Sequence, residues 1–192
     1  MDALQFLAEN KPLRTVRALY VLAGPDRFLK RLVLERLLAR LAPEQGQEWS
    51  RSDYAGDSEH LAEVLTEVQT PALWGGRWLV VVDDADQFVS RYRETLEKLA
   101  GQHLAAVLIL LVEKWASNTR LAKALPQDAL ILCETPKARQ LVSWCQNRTA
   151  SEYGKKLATE AAELLVEIAG SDLGLLEQEL AKLAVYVGEG ES

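Results

Sequence analysis

The chain has 192 residues, 48% of them hydrophobic, with 28 Asp and Glu against 22 Lys and Arg, for a formal net charge of −6. That much apolar material can bury a core, which excludes a disordered chain, and the acidic balance supplies no global positive field, so any DNA contact has to use a local patch. Only two cysteines occur, Cys133 and Cys145, both in apolar settings, and no apolar run reaches the length of a membrane span; a soluble chain in a reducing cytoplasm, with no membrane partner, is expected.

The first clear element is Leu19-Tyr20-Val21-Leu22-Ala23, a buried strand closed by Gly24-Pro25, after which Asp26 offers an N-cap to a helix with Leu29, Leu32, Val33, Leu37 and Leu41 on one face. Glu48 to Tyr54 is a weaker strand, and Ser58 can cap a helix bearing Leu61, Val64, Leu65 and Val68. In the following stretch, Thr70 to Trp78, the pair Leu73-Trp74 sits between a proline and two glycines, which break regular structure, so a short surface turn is expected there. Burying Leu plus Trp supplies on the order of 3–6 kcal/mol, and Trp is prominent among residues that carry binding energy. The pair reads either as a knob for a pocket on another protein or as a Trp folded back onto its own domain. Trp78 to Val82 is the clearest strand and runs into Asp83-Asp84; Arg91 to Leu99 is helical in pattern, Ala106 to Val112 is a continuous apolar strand, and Asn118 to Leu125 and Ala129 to Cys133 add a helix and a strand. Apolar strands without alternation, separated by helices, imply an α/β fold whose parallel sheet is covered on both faces.

At Glu134-Thr135-Pro136 the pattern changes. Leu141, Trp144 and Cys145 share one helical face, Leu157, Ala161, Leu164 and Ile168 another, and Leu173, Leu176, Leu180, Leu183 and Val187 repeat at spacings of three and four, the last set predicting a buried stripe. Gly170 with Ser171-Asp172 marks a helix stop and a new cap. An α/β domain over 1–135 and a small three-helix domain over 136–192 are expected, with a frayed tail after Gly188.

The first strand-to-helix turn is where a phosphate-binding loop would sit, and that loop needs G-x-x-x-x-G-K-[ST] so that backbone N–H groups approach the phosphates and a hydroxyl holds Mg²⁺. Here the stretch is Gly24-Pro25-Asp26-Arg27-Phe28-Leu29-Lys30-Arg31. Lys30 falls on the lysine position, but Leu29 replaces the second glycine and Arg31 cannot ligand a metal; Lys30 reads as a solvated helix lysine. Asp83-Asp84 resembles the strand end that holds Mg²⁺ in nucleoside triphosphatases, or else caps the next helix or lies on a solvated edge. His60 and His103 have no metal-ligand spacing, the cysteines read as buried structural thiols, and neither G-x-S-x-G nor H-E-x-x-H occurs, so no catalytic residue, metal or cofactor is expected.

The order of these signals resembles the delta subunit family of the bacterial DNA polymerase III clamp loader: Tyr20 to Gly24, Asp26 with Phe28-Leu29, Leu73-Trp74 ahead of Arg77 to Val82, Glu113-Lys114, Thr119 to Leu125, and Gly170 to Tyr186. The resemblance implies an AAA+-like fold that has lost its phosphate loop. It further implies a subunit that does not hydrolyse ATP but inserts an apolar pair, here Leu73 and Trp74, into a pocket of the ring-shaped sliding clamp and favours an opened ring for loading onto primed DNA. Trp74 stands where the family usually has Phe, and Gly174 where a basic residue is common. The family continues into a third helical domain that joins the other loader subunits through a collar, which the residues after Val187 could not build; a fragment or a shortened homologue is expected. Two other functions stay open, an active nucleotide hydrolase using Lys30 and Asp83-Asp84, and an adaptor whose Leu73-Trp74 knob meets a different protein.

Overall fold

Neither Leu19–Ala23 nor Ala106–Val112 contains a charged residue, and both form strands buried along their whole length, β1 (Leu19–Ala23) and β4 (Ala106–Val112). They lie at the centre of a five-stranded sheet in a computed structural model that describes residues 1–9, 12–13, 15–41, 49–56, 61–70, 77–102 and 106–188. The order is β2-β3-β4-β1-β5, with β2 (Trp49–Ala55), β3 (Arg77–Asp83) and β5 (Leu130–Leu132), and every pairing is parallel. In register, Leu19 faces Leu108, Trp78 faces Ala106 and Trp49 faces Arg77. β2 is an edge strand with no fully buried position, which is why its sequence, mixing Ser, Arg and Asp with Trp and Tyr, signals a strand only weakly.

The opposite edge, β5, is covered by the chain's own beginning. The Met1 ammonium donates to the Leu130 carbonyl at 2.9 Å and the Leu132 N–H donates to the Met1 carbonyl at 2.9 Å. Asp2 then caps a short helix, α1 (Ala3–Ala8), its carboxylate accepting from the Leu4 and Gln5 N–H groups. Six residues are too few to show a helical period, so this helix is absent from the sequence reading. Around the sheet run α2 (Arg27–Leu41), α3 (Leu61–Gln69), α4 (Asp86–Arg91), α5 (Arg93–Ala100) and α6 (Arg120–Ala124), followed by a 3₁₀ turn at Gln127–Ala129. The helix expected from Arg91 to Leu99 is present as α5, and α4 ahead of it is an additional short helix that the sequence reading missed; the two meet at Tyr92, whose ring packs on Phe88 with centroids 5.0 Å apart. Phe88 of α4 and Leu96 of α5 are both buried in the core.

The chain divides into two units, Met1–Glu134 and Thr135–Ser192. In the second, α7 (Ala138–Tyr153) buries Leu141, Trp144 and Cys145, and ends at Gly154 in the left-handed conformation (φ 63°). α9 (Leu173–Val187) is capped by Asp172, whose carboxylate accepts from the Leu175 N–H at 3.0 Å, and buries Leu173, Leu176 and Leu180. Arg148 ties α7 to α9: its guanidinium donates in bidentate fashion to the Glu177 carboxylate at 2.8 and 2.9 Å, and the Tyr153 hydroxyl donates to the same carboxylate.

Two apolar faces depart from expectation. The stripe of α9 leaves the core after Leu180, since Leu183 is 42% and Val187 44% exposed. On α8 (Thr159–Ala169), Leu164 and Ile168 are 56% and 75% exposed, and the helix instead turns the small Ala162 inward. Leu165 and Val166 of α8 are half-buried, so the helix meets its neighbours on the Ala162, Leu165 and Val166 side and leaves Leu164 and Ile168 in solvent.

Candidate functional site

At the carboxyl ends of the parallel strands, where an α/β sheet of this kind ordinarily takes a nucleotide, the chain fills the space with its own groups. Gly24, at φ 147°, passes so close to the Cys133 backbone that a Cβ there would collide with that carbonyl, and the Gly24 N–H donates to the Val112 carbonyl at 3.1 Å. Asp26 caps α2 as its sequence predicts: its carboxylate accepts from the Leu29 N–H at 2.8 Å and its carbonyl from the Lys30 N–H at 3.0 Å. The cap thereby satisfies the Leu29 N–H, one of the donors left free at the start of the helix, while the Lys30 N–H makes the first bond within it.

Lys30 itself corrects the sequence reading. It is 3% exposed rather than solvated, and its ammonium donates to the Val112 carbonyl at the end of β4 at 3.3 Å. A lysine placed to reach a phosphate is instead turned into the sheet edge. Beside it, burial pushes the Cys133 thiol up to about 12, with the Lys30 charge opposing the shift in part. Both cysteines are buried and free, and burial likewise raises Cys145 to about 11.

The acidic end of β3 is also engaged. Asp83 accepts from the Asp84 N–H at 2.9 Å, and Asp84, at φ 48°, pairs with the Arg27 guanidinium at 2.9 Å. Both are exposed, and neither caps α4, whose N-cap is Ala85 with no side-chain cap. The carboxylate that does structural service is Asp86, which the sequence reading passed over: it accepts from the Glu113 and Lys114 N–H groups at 2.9 and 3.1 Å and so fastens α4 to the exit of β4. Its only sequence signal is its place in the run Asp83-Asp84-Ala85-Asp86. Among the described residues no group of three or more His, Cys, Asp or Glu could hold a metal ion, and no helix is long and apolar enough to cross a membrane. His60 and His103 lie outside the described residues.

Leu73 and Trp74 also lie outside the described residues, but the elements on either side of them are well defined. α3 ends at Gln69, and Thr70 closes it by donating from both its N–H (3.0 Å) and its hydroxyl (2.6 Å) to the Thr66 carbonyl. On the other side Arg77 begins β3 at the amino-terminal edge of the sheet, the edge opposite Lys30. α3 packs on β3 and β4 through Val64 and Val68, both buried. Its outer side is held by a cluster that sequence reasoning missed: the Ser52 hydroxyl donates to Glu67 Oε1 at 2.5 Å and the Tyr54 hydroxyl to Glu67 Oε2 at 2.8 Å. The bond to the Glu67 carboxylate, with some desolvation, raises the Tyr54 phenol above its ordinary value.

No protein-family model matches the chain. It is similar to DNA polymerase III subunit delta of Bacillus subtilis, with 23% identity over 189 residues, covering 92% of this chain and 54% of that protein. The chain therefore spans about half the length of the curated relative it matches. Its fold is that of the Bacillus subtilis DNA clamp loader delta protein, at a TM-score of 0.68 and 22% identity over 98% of this chain and 58% of that one. The expected parallel sheet flanked by helices is thus present and matches the clamp-loader delta fold, and the resemblance read from short motifs extends along nearly the whole sequence. RuvB of Thermotoga maritima (TM-score 0.55, 13% identity, 88% of this chain and 55% of that one) shares the fold, as does Trip13 of a Rhizobiales bacterium (0.53, 16%, 92% and 69%).

Proposed function

We propose that this chain acts as the delta-type, non-hydrolysing subunit of a bacterial DNA polymerase III clamp loader, that it binds the sliding clamp through Leu73 and Trp74, and that this contact favours the opened ring during replication in the cytoplasm. The observation that carries the reading is the similarity to subunit delta along 92% of the chain. The state of the vestigial phosphate site supports it: Asp26 occupies the N–H groups of Leu29 and Lys30, and Lys30 is buried against Val112, so the residues that suggested a hydrolase are engaged within the fold. With no positive field to hold it, primed DNA is met indirectly or weakly, and the other clamp-loader subunits are its further partners.

The test is binding between the purified chain and the sliding clamp of the same organism, measured by calorimetry. Replacing Leu73 and Trp74 together with Ala is expected to leave the melting temperature nearly unchanged and to weaken binding by at least about 2 kcal/mol, roughly thirtyfold, as for a surface hot spot. A double variant that binds like the parent refutes the assignment, and so does a drop in folding stability of about 3–5 kcal/mol, the signature of a core tryptophan.

A further inference from the structure

Apolar and polar holds act together on α3. Val64 and Val68 press the helix onto β3 and β4. Their burial on one stripe fixes which side of the helix meets the sheet, and the polar hold adds a directional tie of its last turn to the edge strand. The Glu67 carboxylate, bonded at one oxygen to Ser52 and at the other to Tyr54, is directional. The two hydroxyls stand at i and i+2 on β2, hence on one face of the edge strand, and a single carboxylate on the last turn of α3 spans both. Hydroxyl-to-carboxylate bonds of this kind are short and about twice as strong as neutral ones. Three residues past Glu67, Thr70 closes the helix and passes the chain to Pro71.

We propose that Glu67, gripped by Ser52 and Tyr54, is a positioning residue: it pins the last turn of α3 to the edge strand and with it the point from which the chain departs toward Leu73 and Trp74. This inference rests on the clamp-binding reading of that pair. Glu67 touches no partner itself; it acts through the helix end.

Two measurements test it on the whole chain, clamp affinity and amide exchange at Val68, Gln69 and Thr70. Ser52→Ala with Tyr54→Phe, which removes both donors and keeps the ring, is expected to weaken binding to the purified sliding clamp by roughly threefold to tenfold and to lower protection of those three amides by more than the protection of amides in β1 and β4, whose exchange reports the modest global loss from two missing hydrogen bonds. Glu67→Ala is expected to match that loss, while Glu67→Gln, which still accepts from one hydroxyl and donates to the other, stays within about twofold of the parent. If the hydroxyl variant and Glu67→Ala bind like the parent while the Leu73 and Trp74 double alanine variant does not, the positioning role is overturned and the clamp reading stands. A loss of affinity with protection lowered equally at those three amides and in β1 and β4 also overturns it, as the mark of general packing. A parent chain that does not bind the clamp refutes the clamp reading and this inference together.

Discussion

Replacing Lys30 with Ala separates an interior lysine from a solvated one by a wide margin. The side chain is 3% exposed, so truncation removes three methylenes from a packed environment, about 0.8 kcal/mol each or roughly 2.4 kcal/mol in transfer terms, and the space left behind adds to that. The Val112 carbonyl is not orphaned, because the Gly24 N–H continues to donate to it at 3.1 Å. A loss of about 2–4 kcal/mol is expected, against less than about 0.5 kcal/mol for a solvated position. Lys30→Met keeps an unbranched stem of similar length and gives up the charge and the bond to Val112, whose carbonyl keeps the Gly24 N–H, so it should stay within about 1.5 kcal/mol of the parent. Urea unfolding, read with unchanged m-values, measures both. The same samples with Mg-ATP report on nucleotide: a ligand at about one hundred times its dissociation constant stabilises by about 2.7 kcal/mol, and none is expected here. A Lys30→Ala variant as stable as the parent refutes the buried placement. Mg-ATP stabilisation of the parent that vanishes in Lys30→Met refutes the self-filled site.

Leu180 and Leu183 lie one turn apart on α9 but are 1% and 42% exposed, so Leu180→Ala should cost about 2–5 kcal/mol and Leu183→Ala well under half of that in the same denaturant assay. A larger effect at Leu183 would show that the apolar stripe continues into the core. The Cys133 thiol ionises from an ordinary value of 9.0 in the unfolded chain but is pushed up to about 12 by burial in the native state, so between those values the native state binds more protons. Its contribution is therefore fully present below pH 9 and lost as pH rises toward 12, and Cys133→Ala should flatten the alkaline limb of stability measured from about pH 8 to 11. An unchanged slope would count against the buried thiol.

The sequence by itself determined which segments become the sheet and where the helix after β1 begins. β1, β3 and β4 were legible because a strand buried on both faces has to be apolar at successive positions, and Asp26 was legible because an N-cap acts within three residues of itself. It also carried enough ordered short motifs to point to the delta subunit, a likeness the whole-chain comparison bears out. What it could not determine are the pairings between residues distant in the chain. Lys30 reads as solvated because helical periodicity does not say that the end of β4, 82 residues later, offers a carbonyl to its ammonium. Arg27 finds Asp84 across 57 residues, and Glu67 finds Ser52 and Tyr54 only because β2 takes the edge beside β3. Leu164 and Ile168 have the spacing of a core face, yet α8 meets its neighbours on the Ala162, Leu165 and Val166 side instead. Local chemistry is written in neighbouring residues; which lysine is buried, which carboxylate is engaged and which apolar face stays in water depend on strand order and helix packing, and only the tertiary structure decides those.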